Sequence, residues 1–162
     1  MEDLLLPWVP IFTTAARCDI LIRALEYCRP HKDLETHGWV ILDNHFHAIL
    51  AAPDLSGVLA DLKRHTARRL IEHWRARTAS GCPISCSISG SRTRARAGTK
   101  VWQKGSHPQA LMSDAMMKQK LEHLHNNPVK RGLVASPEHW RYSSAHEWLR
   151  GALPLLRVDA WR

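Results

Sequence analysis

No uninterrupted apolar run in this sequence comes near the roughly 18 residues that a membrane span requires, so no membrane partner is expected. The first twelve residues are apolar, but they carry Glu2 and Asp3 where a secretory signal has positive charge, and Pro7 and Pro10 interrupt them. Both features point to a cytoplasmic protein. Cysteine is sparse: there are four, and Cys82 and Cys86 make one C-x-x-x-C with no second pair at knuckle spacing. Two thiols alone do not close a structural zinc site, and a disulfide framework is not expected in a cytosolic chain of this size. Internal repeats are absent, and no linker demands a second domain. The 162 residues, 44% apolar and 23% charged, are therefore read as one globular domain rather than a disordered or collagen-like chain.

Acidic residues are nearly missing from one stretch. Between Lys63 and Lys104 there are eleven basic residues and a single acid, Glu72. This segment carries +10 of a net charge of +8, which leaves −2 for the remainder. Positive charge so concentrated points to a polyanionic partner, above all nucleic acid. The candidate contacts are Lys63, Arg64, Arg68, Arg69, Arg92, Arg94, Arg96, Lys100 and Lys104. The plainer alternative is a solvated basic face kept for solubility.

Helical spacing of Ile20, Leu21, Ala24, Leu25 and Cys28 predicts a helix over about 15–29, ended by Pro30. Residues 37–42 and 45–52 read as two strands joined at Asp43-Asn44, a β-hairpin. Asp54 is a natural N-cap for a long helix whose apolar stripe runs Leu55, Val58, Leu59, Leu62, Leu70, Ile71 and Trp74. Helical patterning ends near Ala79, and a basic Ser/Arg-rich loop follows over about 79–100. Val101-Trp102-Gln103 fits a short strand. Ser113-Asp114 opens another helix that runs to about Asn126, before Pro128. The tail, with Trp140, Trp148 and Trp161, reads as a turn and helix packed on the core. Strands and helices interleave in an α+β pattern.

The most informative local feature is His45-Phe46-His47. On a strand, residues i and i+2 share a face, so both imidazoles reach one metal ion while Phe46 points into the core. Imidazoles suit Zn, Mn, Ni or Fe, and added oxygen ligands bring in Mn or Mg. The plainer alternative is a pair of surface histidines on an edge strand. With 11 histidines, chance alone supplies about 0.7 such triplets. A second triplet, His123-Leu124-His125, lies in the last predicted helix, where i and i+2 diverge by roughly 200°. His123 and Asn127, four apart, face the same way if that helix persists.

Several segments in order resemble the REP-associated type of single-strand tyrosine transposases of the HUH class. They are residues 39–47 (Trp-Val-Ile-Leu-Asp-Asn-His-Phe-His), 54–67, 101–108 (Val-Trp-Gln-Lys-Gly-Ser-His-Pro), 119–134 with its Asn-Asn-Pro-Val-Lys-Arg-Gly core, and 137–145. Together these blocks span about residues 8–148, and their order makes the set specific where each alone is weak. The resemblance implies a ferredoxin-like (RRM-like) palm, an antiparallel sheet with helices on one face, usually a homodimer. It implies binding of single-stranded, hairpin-forming DNA. A divalent metal, Mg or Mn, is implied at His45, His47 and Asn127, facing the scissile phosphate. A tyrosine then attacks phosphorus and leaves a 5′-phosphotyrosine and a free 3′-OH.

By position the nucleophile falls at residue 123, and here the sequence departs from the family: the residue is His123. A phenolate makes a stable phosphodiester, whereas an imidazole makes a labile phosphoramidate. His123 is thus the candidate catalytic residue, as nucleophile, base for water or extra ligand, and loss of transposition chemistry is the most economical expectation. Tyr27 and Tyr142 are the only tyrosines, and both read as structural. Of the tryptophans, Trp102, between Lys100 and Lys104, is the better candidate for stacking on a base; Trp39 and Trp74 fit apolar stripes. Two functions follow: metal-assisted cleavage and strand transfer on hairpin DNA, impaired at position 123, or catalytically silent binding of structured single strands. A third, an unrelated metal-dependent hydrolase using His45, His47 and His123, is opposed by the ordered blocks.

Overall fold

The computed structural model describes residues 2–5, 10–79, 101–102, 110–151 and 155–161. Its elements are β1 (Glu2–Leu5), α1 (Ala15–Lys32), β2 (Glu35–Ile41), β3 (His45–Ala51), α2 (Leu55–Ala79), α3 (Asp114–His125), α4 (Asn127–Lys130), a 3-10 turn (Pro137–His139) and α5 (Ala145–Arg150). Arg92, Arg94, Arg96, Lys100 and Lys104, with the loop that carries most of them, lie outside the described residues.

The hairpin forms as the residue pattern requires. β2 and β3 pair antiparallel, Val40 opposite His47 and Ile41 opposite Phe46, and the Leu42 N–H closes the Asp43-Asn44 turn on the His45 carbonyl at 2.8 Å. β1 adds on the far side of β3, so the sheet order is β1-β3-β2, all antiparallel. Residues 142–144 run along the free edge of β2: Ile41 N–H donates to the Tyr142 carbonyl and Ser144 N–H to the Trp39 carbonyl.

Helices cover both faces of this sheet, not one face as expected. Trp39, Ile41, Phe46 and Ala48 pack against Leu21, Leu25, Val58, Leu59 and Leu62 of α1 and α2. Val40, Leu42 and Ile49, alternate residues on the same strands, pack against Met117, Leu121 and Leu124 of α3. The reason stands in the sequence: Trp39-Val40-Ile41-Leu42 is continuously apolar, the signature of a strand buried on both sides rather than one half in water. All four are at most 1% exposed.

Several boundaries differ from expectation. α1 continues through Pro30 to Lys32, because a proline in the last turn removes one hydrogen bond and tertiary packing holds the rest; it ends at Asp33, left-handed with φ 49. The cap of α2 is as read, with Gly57 N–H donating to Asp54 Oδ1 at 2.9 Å. Trp74 is 45% exposed rather than core. With 25 residues in α2 against 18 in α1, α2 is about 10 Å longer, and its last turns outrun their packing partner. Residues 101–102 form a bend, not a strand, while Gln103 lies outside the described residues. Ser113 caps α3 by accepting from Met116 N–H at 3.3 Å.

Gly38 lets α3 lie close to the sheet. A Cβ at this position would overlap Leu121 Cδ2. Valine in a strand normally gains up to about 1 kcal/mol over glycine, but overpacking a filled core costs up to about 3 kcal/mol. Gly38→Val is therefore expected to lower stability by about 2 kcal/mol in urea denaturation. Unchanged stability would mean that Leu121 swings aside freely and that the close approach is not required.

Candidate metal centre

β3 sorts its side chains by alternation. Phe46 is fully buried toward α1 and α2, while His47, 8% exposed, and the half-buried His45 point to the α3 side. Their ring centroids are 4.6 Å apart, with the planes at 86°. Two imidazoles side by side on one strand face are donors of a kind that suits a divalent cation. Among the described residues no group of three His, Cys, Asp or Glu side chains is gathered to hold a metal.

A hydrogen-bonded chain supports the first histidine. His45 Nδ1 lies 2.6 Å from Asn44 Oδ1. Arg131, the residue that caps α4, donates to Asn44 Oδ1 at 3.0 Å and to Asp43 Oδ1 at 2.8 Å. Its own N–H donates to the Asn127 carbonyl at 3.1 Å. The short helix that begins at Asn127 is thus fastened to the turn that precedes His45. Sequence reading gave Asn44 a role in the turn only and missed Arg131; no spacing rule links positions 87 residues apart.

α3 ends within a residue of the expected Asn126, so the condition for His123 and Asn127 to share one helix is not met. Pro128 has no N–H for the Leu124 carbonyl, so α3 stops at His125; Asn126 stays right-handed (φ −78, ψ −4) and α4 resumes at Asn127. His123 is exposed on α3, its Nδ1 3.5 Å from Lys130 Nζ. His125, its neighbour in the second triplet, has a different role. It is buried, with Nε2 2.8 Å from Ser144 Oγ. That hydroxyl also accepts from Trp39 N–H at 2.9 Å, tying the 142–144 segment to β2. Burial lowers the pKa of His125 from 6.5 to about 4.

A folded-state value below the unfolded one means that the unfolded chain takes up a proton first as pH falls. The stability due to neutral His125 is therefore complete above pH 6.5 and is lost toward pH 4, in all roughly 3 kcal/mol. Denaturation midpoints measured across this window should fall less steeply for His125→Gln than for the wild type. Equal slopes would show that His125 protonates as readily folded as unfolded.

Neither tyrosine reaches the histidine pair. Tyr27 is 59% exposed on α1, stacked on His31 with centroids 4.0 Å apart. Tyr142 packs against the α1/α2 core, on the opposite face of the sheet. Burial, then the nearby Cys18 and Asp19, push its phenol pKa up, the reverse of what activates a nucleophile. Trp102 is also unsuited to stacking on a base: it is 8% exposed, with Nε1 donating to Thr66 Oγ1 at 3.0 Å.

The basic residues of α2 lie with that same layer. Arg64, Arg68 and Arg69 line a groove of about 1000 Å³ between α1 and α2, together with Arg23 and Lys32. Arg64 and Lys32 pair with Asp61, and Arg68 and Arg69 pair with Glu72 at 2.9 and 3.2 Å. Lys63 is half-buried. None of the described helices is long and apolar enough to cross a membrane.

This architecture matches a solved structure, that of a REP-associated tyrosine transposase bound to a REP hairpin, over 98% of this chain and 84% of that one, with a TM-score of 0.66. The two proteins are structurally related. At 19% identity the likeness is one of fold. No protein-family model matches the chain, and no curated protein sequence does. The shared fold thus places a histidine pair on the α3 side of the sheet, near the layer whose helix carries His123, with both tyrosines on the other side.

Proposed function

We propose that the protein binds hairpin-forming single-stranded DNA on the α3 side of a ferredoxin-like, HUH-type palm, and that covalent strand transfer is impaired because position 123 is histidine. The observation that carries this reading is the His45/His47 pair on one face of β3, within a fold related to a hairpin-bound transposase. His45 and His47 would hold a divalent cation, Mg or Mn, with the Asn127 amide as third ligand. Two imidazoles and an amide carry no negative charge, so the site keeps its attraction for a phosphate. When bound, such a cation neutralises phosphate charge and polarises the P–O bond.

The chain's own groups do the rest. His123, exposed on α3 with its Nδ1 3.5 Å from Lys130 Nζ, would stand beside a bound phosphate with that ammonium as its neighbour. Arg131 and Lys130 keep the surroundings positive. The α1/α2 groove, with Arg64, Arg68 and Arg69, is a second basic surface for a strand that wraps around the domain. Homodimer formation, implied by the resemblance, belongs to this proposal.

A labelled hairpin oligonucleotide with MnCl2 or MgCl2 tests it. A gel shift weakened by EDTA, with no protein–DNA adduct surviving denaturation, is the expected result. Absence of a shift would overturn the reading, and an adduct in the wild type would overturn its lost-nucleophile part.

A further inference from the structure

We infer that Arg131 is a positioning residue that fixes the proton of His45 through Asn44, and so presets which nitrogen would ligate a cation. The inference rests on the metal-site reading proposed above and adds to it a residue outside the ligand set.

An asparagine amide presents an oxygen or an NH2 group according to its flip, and the two choices impose opposite tautomers on a histidine bonded to it. Arginine removes that freedom, since its guanidinium only donates. The Asn44 atom that lies 3.0 Å from Arg131 must therefore accept, which makes it the carbonyl oxygen. The same oxygen lies 2.6 Å from His45 Nδ1, so Nδ1 must carry the proton. The lone pair of neutral His45 is then on Nε2, which would be the ligating nitrogen.

Arg131 is itself held in place. Its guanidinium also binds Asp43 Oδ1 at 2.8 Å, and its N–H binds the Asn127 carbonyl. One residue, by side chain and backbone, thereby joins the first residues of the hairpin turn to the helix that starts with the candidate third ligand. Bonds behind a metal ligand of this kind orient the ring and typically change metal affinity by 10- to 100-fold. The Arg131 side chain is 34% exposed, so its replacement leaves the hydrophobic clusters intact.

Long-range 1H–15N NMR of the metal-free protein reads the tautomer directly, and Mn2+ titration of the same samples reads affinity. The wild type is expected to show His45 protonated at Nδ1. Arg131→Leu and Asn44→Ala should give mixed tautomers and Mn2+ affinity lower by about tenfold or more. Arg131→Lys, which keeps a donor-only cation, should hold the wild-type tautomer. A wild-type His45 protonated at Nε2, or a pure Nδ1–H form in both Arg131→Leu and Asn44→Ala, would overturn the inference. Wild-type protein that binds no Mn2+ while His45 follows Arg131 as described would overturn the metal reading and leave the relay standing.

Discussion

His123→Tyr is expected to turn a protein that only shifts hairpin DNA into one that captures it covalently. In the presence of Mn2+ the variant should give a denaturation-resistant adduct at least about tenfold above the wild-type background. The balance is simple. The phenolic oxygen bonds to phosphorus, the P–O bond to the 3′ side breaks, and the 3′ oxygen leaves with a proton as a free hydroxyl. The product is a phosphodiester, which persists; the imidazole equivalent is a phosphoramidate, which hydrolyses. Position 123 tolerates the exchange because it is exposed, on the helix whose Met117, Leu121 and Leu124 pack over the face that carries His45 and His47. Surface changes of this kind usually alter stability by no more than about 0.5 kcal/mol. A variant that binds the hairpin as tightly as the wild type yet remains adduct-free would show that more than the nucleophile has been lost.

The sequence made the strand–turn–strand around His45 and His47 legible because two local signals agree there: β-rich runs and turn residues. It also placed the cap at Asp54 and the helix start at Ser113-Asp114, both signalled within one turn. What escaped it was non-local. Whether Trp74 is buried depends on how far α1 extends beside α2. Whether Trp102 is available to a base depends on Phe12 and Thr66, which contact it from far away in the chain. The second helical layer was signalled by the unbroken apolar run 39–42, but a run of four does not say which helix covers it. The Arg131–Asn44 contact had no sequence signature at all. At the candidate site, the pairing of His45 with His47 was readable from spacing, whereas the distance of both tyrosines from that pair followed only from which face of the sheet each element occupies.

Adjacent residues of β3 should part company under truncation. Phe46 is fully buried among α1 and α2 side chains, and Phe46→Ala should cost about 4 kcal/mol, a fall in melting temperature of roughly 10 °C for a chain of this length. His47 sits one residue on, on the opposite face, beside Val40. His47→Ala should lower the melting temperature by clearly less, within about 5 °C, since it removes a polar ring rather than a large apolar core side chain. Its effect should appear instead as Mn2+ affinity reduced by at least about tenfold, and as hairpin binding that no longer responds to EDTA. Phe46→Ala, measured below its own melting temperature, should keep both properties near wild type, because the strand still presents its two imidazoles to the α3 side. Thermal scans and Mn2+ titrations of the two variants make the contrast a crossed one. If His47→Ala melts as early as Phe46→Ala, the ring is a core element and the metal reading loses its basis. If Phe46→Ala loses Mn2+ while still folded, the two faces of β3 are not independent, and alternation along the strand does not separate packing from chemistry.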